Sequence, residues 1–210
     1  MLLINGRSCV NLLLASRLHQ ANLSYKIIAT KNCSPPPPLF VALNHASLAL
    51  LPEEITGSTF NSMWVWCHQQ PNAEFILRSY ELGLKNLGQV ISLQKIYQHL
   101  EHNVPQDHVG KKTSEINMFT TQHANPSRTI ARSVGIAKQL LIKLDGFDGA
   151  FQIFAWPHIL GFLPIDGHGN YACIFASQNS ESIPWDSPEE ILATLNNFTK
   201  TKGIIVRDCH

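Results

Sequence analysis

The chain has 210 residues, of which 44% are hydrophobic, and a formal net charge of +1. This hydrophobic fraction excludes a generally disordered chain, and the near-neutral charge argues against a nucleic-acid-binding protein that relies on broad phosphate neutralisation. No apolar stretch reaches the roughly 20 residues of a membrane-spanning helix. Because Asn5, Gly6 and Arg7 interrupt any signal-peptide core, we expect a cytoplasmic protein.

Residues 1–31 predict a βαβ unit of the kind that binds dinucleotides. Residues 1–4 are a short apolar run, residues 11–20 have the apolar spacing of a helix, and residues 23–29 predict a second strand. The turn in between offers the N-terminus of the helix, whose N–H groups attract anions. A purely structural βαβ unit remains the open alternative.

The turn before this helix carries a degraded phosphate-binding fingerprint. In G-x-G-x-x-G the first glycine makes the turn, the second admits the pyrophosphate and the third lets helix and strand pack closely. These places hold Gly6, Ser8 and Asn11. We expect Ser8 to stand where the phosphate should approach and Asn11 to push the helix away from the strand. Ala29 stands where a carboxylate for the ribose is expected.

The next segment predicts a stiff connector followed by a helix. Four consecutive prolines lie within residues 32–42 and require an extended backbone, since proline lacks the N–H donor and fixes φ. A ligand for a proline-binding partner is the alternative interpretation. Residues 44–51 then predict a helix that ends near Pro52.

Residues 58–68 predict a strand that places Trp64 and Trp66 on one face. Core packing is the favoured interpretation of the pair, and an aromatic wall for a planar ligand is the alternative. Residues 92–104 predict an amphipathic helix. The polar residues 105–123 predict a loop.

Residues 126–144 predict a helix-bearing segment with four cations: Arg128, Arg132, Lys138 and Lys143. We interpret these cations as a solvated face, with contact to an anionic partner as the alternative. Strands follow at 150–156, 159–164 and 170–176, and the sequence Asp-Gly between the last two predicts a hairpin. Ser187 and Pro188 begin a final helix that stops before Gly203.

The ten histidines and five cysteines do not form a recognisable metal-binding motif. His99 and His102 share a predicted helix face, and Cys67 precedes His68. Neither pair has the three or four converging ligands that a metal needs. We therefore predict no metal site.

Taken in order, the segments resemble flavoprotein monooxygenases of the p-hydroxybenzoate hydroxylase type, in the branch shared with tryptophan-halogenase-like FAD-dependent oxidoreductases. Ala124-Asn125-Pro126-Ser127-Arg128 falls where relatives carry a D-A-[ST]-G-R-like sequence, and Leu93 stands where they often carry an arginine. Residues 3–30 are similar to the FAD-binding βαβ unit of that family, and residues 43–51 to the helix after its proline-containing loop. Residues 57–68 are similar to the strand that follows, and residues 91–100 to the helix beside the cofactor. Residues 161–177 are similar to strands of the substrate domain.

The resemblance implies an α/β fold with a Rossmann-like FAD-binding core and a β-rich substrate-type region, placed at residues 1–145 and 146–210. It implies FAD as cofactor, held by Gly6, Ser8, Asn11 and Arg128. It also implies reduction by a nicotinamide donor and hydroxylation or halogenation of a small-molecule or carrier-bound substrate.

Compared with that family the chain looks shortened, and the resemblance covers about the first half of a family member. The second hypothesis is therefore a non-catalytic relative that binds a protein partner. A gene remnant that folds poorly alone is the third. A companion chain that completes the fold is a further expectation.

Overall fold

The computed structural model describes residues 1–28, 38–108, 117–120, 136–177 and 187–209. The chain forms two compact units. Unit 1 comprises Met1–Leu39, Ala49–Ile55 and Ser92–Ile130, and unit 2 comprises Phe40–Leu48, Thr56–Ile91 and Ala131–His210. The units are interleaved along the chain, whereas the sequence predicts two regions one after the other, at 1–145 and 146–210. The predicted division into two domains at residue 145 stays a prediction.

The described helices are α1 (Cys9–Gln20), α2 (His45–Leu48), α3 (Leu93–Asn103) and α4 (Pro188–Thr199). Two 3-10 segments span Ser79–Leu82 and Lys200–Lys202. The described strands are β1 (Leu2–Asn5), β2 (Tyr25–Ile28), β3 (Phe40–Leu43), β4 (Ser58–Phe60), β5 (Ser62–Cys67), β6 (Gln70–Arg78), β7 (Gly88–Ser92), β8 (Asp107–His108), β9 (Asn117–Thr120), β10 (Ile136–Asp145), β11 (Ala150–Ala155), β12 (His158–Pro164), β13 (Asn170–Ser177) and β14 (Ile205–Cys209).

Unit 1 is built on a four-stranded sheet in the order β8-β2-β1-β9, with β1 parallel to both β2 and β9. Strand β1, helix α1 and strand β2 form the βαβ unit that the sequence predicts. Tyr25 and Ile27 of β2 are fully buried while Lys26 and Ile28 are exposed, which is the alternation of a strand with one packed face.

Helix α3 lies against α1 and confirms the predicted amphipathic helix. Its buried residues are Ile96, Tyr97 and Leu100, at the spacing of three and four that places side chains on one face. The helix ends at Asn103, and the N–H of the following residue, Val104, still bonds the carbonyl of Leu100.

Unit 2 holds a seven-stranded sheet in the order β14-β10-β13-β12-β11-β5-β6 and a three-stranded sheet in the order β3-β7-β4. The predicted hairpin is present as the antiparallel pair β12–β13. In its turn the Asp166 carboxylate accepts from the backbone N–H groups of His168 (2.8 Å) and Asn170 (3.2 Å). Burial raises the pKa of Asp166, but the hydrogen bonds from the Asn170 side-chain amide and from these two N–H groups outweigh it and hold the pKa below its ordinary value.

Helix α4 covers the core of the larger sheet and confirms the predicted capping. Ser187 is the N-cap, its Oγ accepts from the N–H of Glu190 at 3.3 Å, and Pro188 is the first helical residue. Leu195 of the helix is fully buried in a cluster with strand residues of the sheet. Gly203 follows with φ +68°, as expected of a residue that ends a helical segment.

Several predicted elements are wrong. The helix predicted over residues 126–144 is strand β10 from Ile136 onward. Ile142 and Leu144 are buried while Leu141 and Lys143 are exposed, which is the period-two alternation of a strand, and β10 pairs with β13 and β14. Residues 126–135 lie outside the described part of the chain. The predicted loop at 105–123 contains β8 and β9, both of which extend the sheet of unit 1.

Two further predictions need correcting at their boundaries. The helix predicted over residues 44–51 is reduced to the single turn of α2, where the Asn44 carboxamide oxygen accepts from the N–H of Ser47. The strand predicted over 58–68 is broken at Asn61 into β4 and β5, which belong to different sheets. None of the described helices is long and apolar enough to cross a membrane.

Candidate cofactor-binding turn

The turn between β1 and α1 lies at the carboxyl ends of two parallel strands. Gly6 has φ +88°, a backbone conformation that side chains other than hydrogen rarely adopt, and its N–H donates to the carbonyl of Ile28 at 2.9 Å. Glycine is therefore required by the shape of this turn. A helix N-terminus after such a turn is where dinucleotide-binding folds hold a pyrophosphate.

Ser8, at the second glycine place, caps the helix. Its Oγ accepts from the N–H of Asn11 at 3.3 Å, and its carbonyl accepts the first intrahelical bond, from Leu12, at 2.9 Å. The serine thus satisfies one of the N–H groups that an incoming anion would use. A phosphate at this end of α1 has to approach past its side chain.

Asn11, at the third glycine place, ties the helix to the turn. Its side chain is 1% exposed, and Nδ2 donates to the carbonyls of Asn5 (2.7 Å) and Gly6 (3.1 Å). We expected this residue to push the helix away from the strand, but the structure shows its amide buried and bonded to the turn. Its Oδ1 is buried with no hydrogen-bond partner among the described residues.

Arg7 brings positive charge to the turn and is balanced within unit 1. Its Nε lies 3.6 Å from the carboxylate of Glu101 on α3, and that carboxylate also accepts from the hydroxyl of Tyr97 at 2.9 Å. Burial raises the pKa of Tyr25, and the charge of Arg7 offsets part of that rise. Arg7 is not among the predicted cofactor contacts, although a cation inside the turn is visible in the sequence.

Cys9, the first residue of α1, is a half-buried thiol. Burial raises its pKa, and its Sγ lies 3.9 Å from the carbonyl of Leu93. A raised pKa favours the protonated thiol over the reactive thiolate.

The structure brings together three of the four predicted cofactor contacts: Gly6, Ser8 and Asn11. Arg128 and the Ala124–Arg128 motif lie outside the described residues, and so does Ala29. Their part in the site stays a prediction. The bonds from the Asn11 amide to the turn were missed, because sequence spacing alone does not show which way an amide points.

The two tryptophans of β5 contribute to the core of unit 2, which agrees with the favoured interpretation of core packing. Trp66 is 2% exposed and stacks on Phe151 with ring centres 5.3 Å apart, and Trp64 meets Phe147 edge-on at 5.5 Å. In the part of the chain that the structure describes, no three metal-ligating side chains converge. His99 Nε2 lies 4.0 Å from a Glu54 carboxylate oxygen.

Comparison with known proteins gives a fold and no sequence family. No family model matches the chain, and no curated protein matches it. Among solved structures, 2-methyl-3-hydroxypyridine-5-carboxylic acid oxygenase is similar with a TM-score of 0.58 at 10% identity, over 98% of this chain and 69% of that one. The chain has a flavin-monooxygenase-like fold.

Two further solved structures agree with this fold. The probable FAD-dependent monooxygenase pqsL from Pseudomonas aeruginosa has a TM-score of 0.59 at 9% identity, over 96% of this chain and 68% of that one. The p-nitrophenol 4-monooxygenase PnpA from Pseudomonas putida DLL-E4 has a TM-score of 0.52 at 11% identity, over 100% and 66%. The chain therefore spans about two thirds of the length of these proteins, and identity this low shows the fold alone.

Proposed function

We propose that the chain is a flavin-dependent oxidoreductase of the monooxygenase type, in which the turn from Gly6 to Asn11 receives the pyrophosphate of FAD. The observation that carries the proposal is the positive-φ Gly6 between parallel β1 and the N-terminus of α1, in a chain with the fold of FAD-dependent monooxygenases. A cytoplasmic location and a small-molecule or carrier-bound substrate belong to the same proposal.

The backbone of the turn has the shape that a pyrophosphate needs, but two of the three glycine positions of the fingerprint carry side chains. Gly6 and the first turn of α1 provide the bend and the positive end of the helix dipole. Ser8 and Asn11 place side chains where the fingerprint has glycine. Each lost hydrogen bond to a charged group costs roughly 1.5–3 kcal/mol, or one to two decades of affinity, so the proposal is for weak FAD binding.

The roles of the chain's own residues follow from this geometry. Gly6 permits the bend, Asn11 holds its carbonyls in place, and the N–H groups of the first turn of α1 face the phosphate. FAD, when bound, would supply the redox chemistry.

A charge substitution at Ser8 tests this role without removing the cap. Aspartate is as good an N-cap as serine, so Ser8→Asp keeps the helix while placing a negative charge beside the phosphate. Like charges about 5 Å apart repel by a few kcal/mol at the effective dielectric of a protein surface, so FAD affinity should fall at least tenfold.

The matched control is Ser187→Asp, the same substitution at the N-cap of α4. It should leave FAD affinity unchanged. The readout is the shift of the flavin absorbance bands as FAD is titrated into folded protein. Equal affinities for the two variants, or an unshifted spectrum with wild-type protein, would refute the role of the turn.

The second candidate is a relative that has given up flavin and binds a protein partner. It is favoured by one observation: the helix N–H group and turn carbonyls bonded by Ser8 and Asn11 are satisfied without any ligand. Ser8→Gly separates the two candidates. If the turn still accepts FAD, opening the second place should raise affinity at a stability cost of a few tenths of a kcal/mol.

A further inference from the structure

Unit 2 contains an open cavity of about 580 Å³ whose walls are mostly apolar. This volume lies within the range of small-molecule binding sites. All but three of its lining residues are apolar, and they come from β3, α2, the β4–β5 region, β6 and the segment before β7; among the largest are Phe60, Met63, Leu77, Leu82 and Leu84.

The rim of the cavity exposes large apolar side chains. Leu82 is 52% exposed and Leu84 is 41% exposed, on a segment that turns at Gly83 with φ +67°. Deeper in the cavity Phe60 is 8% exposed. Because exposed apolar area is unfavourable in water, a ligand that covers the rim gains affinity from its apolar body.

The polar residues of the cavity lie together in one short stretch, Asn44 to Ser47. Asn44 and Ser47 bond one another across the turn of α2. His45 Nε2 lies 2.7 Å from the carbonyl oxygen of Asn86. Since a carbonyl only accepts, Nε2 must carry the hydrogen, and Nδ1 of the neutral ring is then an acceptor. His45 is itself a lining residue, so this acceptor nitrogen belongs to a side chain at the apolar wall of the cavity.

We propose that this cavity binds an uncharged apolar compound carrying a hydroxyl group, with the hydroxyl donating to Nδ1 of His45. An apolar compound without a donor cannot make this hydrogen bond, and a charged compound loses its hydration against leucine walls. All lining residues belong to unit 2, so the inference does not rest on FAD binding at the turn of unit 1.

The test is a fluorescence titration of the full chain with 2-naphthol near neutral pH, without flavin, with naphthalene as competitor. Saturable binding is expected, with naphthalene weaker by roughly fivefold, the effect of one neutral hydrogen bond. His45→Ala should remove this preference. His168→Ala, which replaces an exposed histidine in the β12–β13 turn, should retain it.

Blocking variants test the location. Ala46→Trp fills the cavity from an exposed position, and Leu82→Trp does so from the rim; both should weaken 2-naphthol binding at least tenfold. Ala73→Trp, at an exposed alanine outside the lining, should bind as wild type. Far-UV circular dichroism confirms that each variant is folded. The proposal is overturned by absence of saturable binding to folded wild type, by unchanged binding in both blocking variants, or by a hydroxyl preference that survives His45→Ala.

Discussion

Replacing Asn11 by aspartate reverses the chemistry of the bond that holds the turn. The amide Nδ2 donates to the carbonyls of Asn5 and Gly6, and a carboxylate can only accept. Loss of two hydrogen bonds costs about 2 kcal/mol. The helix dipole returns about 0.5 kcal/mol to a carboxylate in the first turn.

Ionisation adds a second cost that depends on pH. A carboxyl group that faces two carbonyls in a buried site is stable only when it is protonated. Keeping it protonated costs about 1.4 kcal/mol for each pH unit above its usual pKa of about 3.9, which amounts to as much as about 4 kcal/mol near pH 7. Asn11→Asp should therefore lower the free energy of unfolding by more than about 1.5 kcal/mol near pH 7, since about 2 kcal/mol is lost with the two bonds and about 0.5 kcal/mol is returned before the cost of ionisation is added. The loss should shrink toward pH 4, where the protonated group can donate again.

Urea unfolding followed by far-UV circular dichroism measures this loss at both pH values. Asn197→Asp is the matched control, because Asn197 is an exposed residue within α4. Its substitution should change stability by no more than about 0.5 kcal/mol. The reasoning is refuted if Asn11→Asp and Asn197→Asp have the same effect, or if the loss at Asn11 does not depend on pH.

Three other predictions concern unit 2. Burial lowers the pKa of His158, so the unfolded chain binds the proton more tightly than the folded chain does. Stability should therefore fall as pH falls below about 6.5. In urea unfolding measured across this pH range, His158→Phe should reduce that loss of stability. Gly169→Ala should destabilise the protein by at least about 1 kcal/mol in thermal unfolding, because φ is +82° and a Cβ would lie 2.7 Å from the Leu144 carbonyl oxygen. The control Gly167→Ala, whose Cβ would meet nothing within 4 Å, should be nearly neutral. Equal effects of the two variants would contradict this reasoning. The Cys173 thiol is buried with a raised pKa, so a disulfide reagent should modify it only on unfolding, and Cys173→Ala should remove that slow phase but no fast one.

The elements predicted correctly are those whose fold follows from residues close together in the sequence, such as a cap or an amphipathic repeat. The first βαβ unit, the amphipathic spacing of Ile96, Tyr97 and Leu100, and the Ser187 cap were confirmed by the structure. The prediction failed for β10, where lysines between apolar residues were interpreted as a helix face. Only its antiparallel neighbours, β13 and β14, determine that the same residues form a strand.

The candidate sites differ in how far sequence could locate them. Gly6, Ser8 and Asn11 are close in sequence, so a motif could find them, although the direction of the Asn11 amide could not be read. The cavity in unit 2 was missed because its lining residues are brought together by strands from two sheets. His45 carries no local motif that would mark it.

Backbone resonances of the Gly6–Asn11 turn give the most direct test of FAD binding. In isotope-labelled protein titrated with FAD, the account predicts saturable shifts of the N–H signals of Gly6, Ser8 and Cys9, with those of α4 unchanged. Ser8→Asp should need at least tenfold more FAD to produce the same shifts, while the rest of its spectrum stays unchanged. Folded protein whose turn signals do not move, or move no more than those of α4, would contradict the proposal that this turn receives the phosphates of FAD.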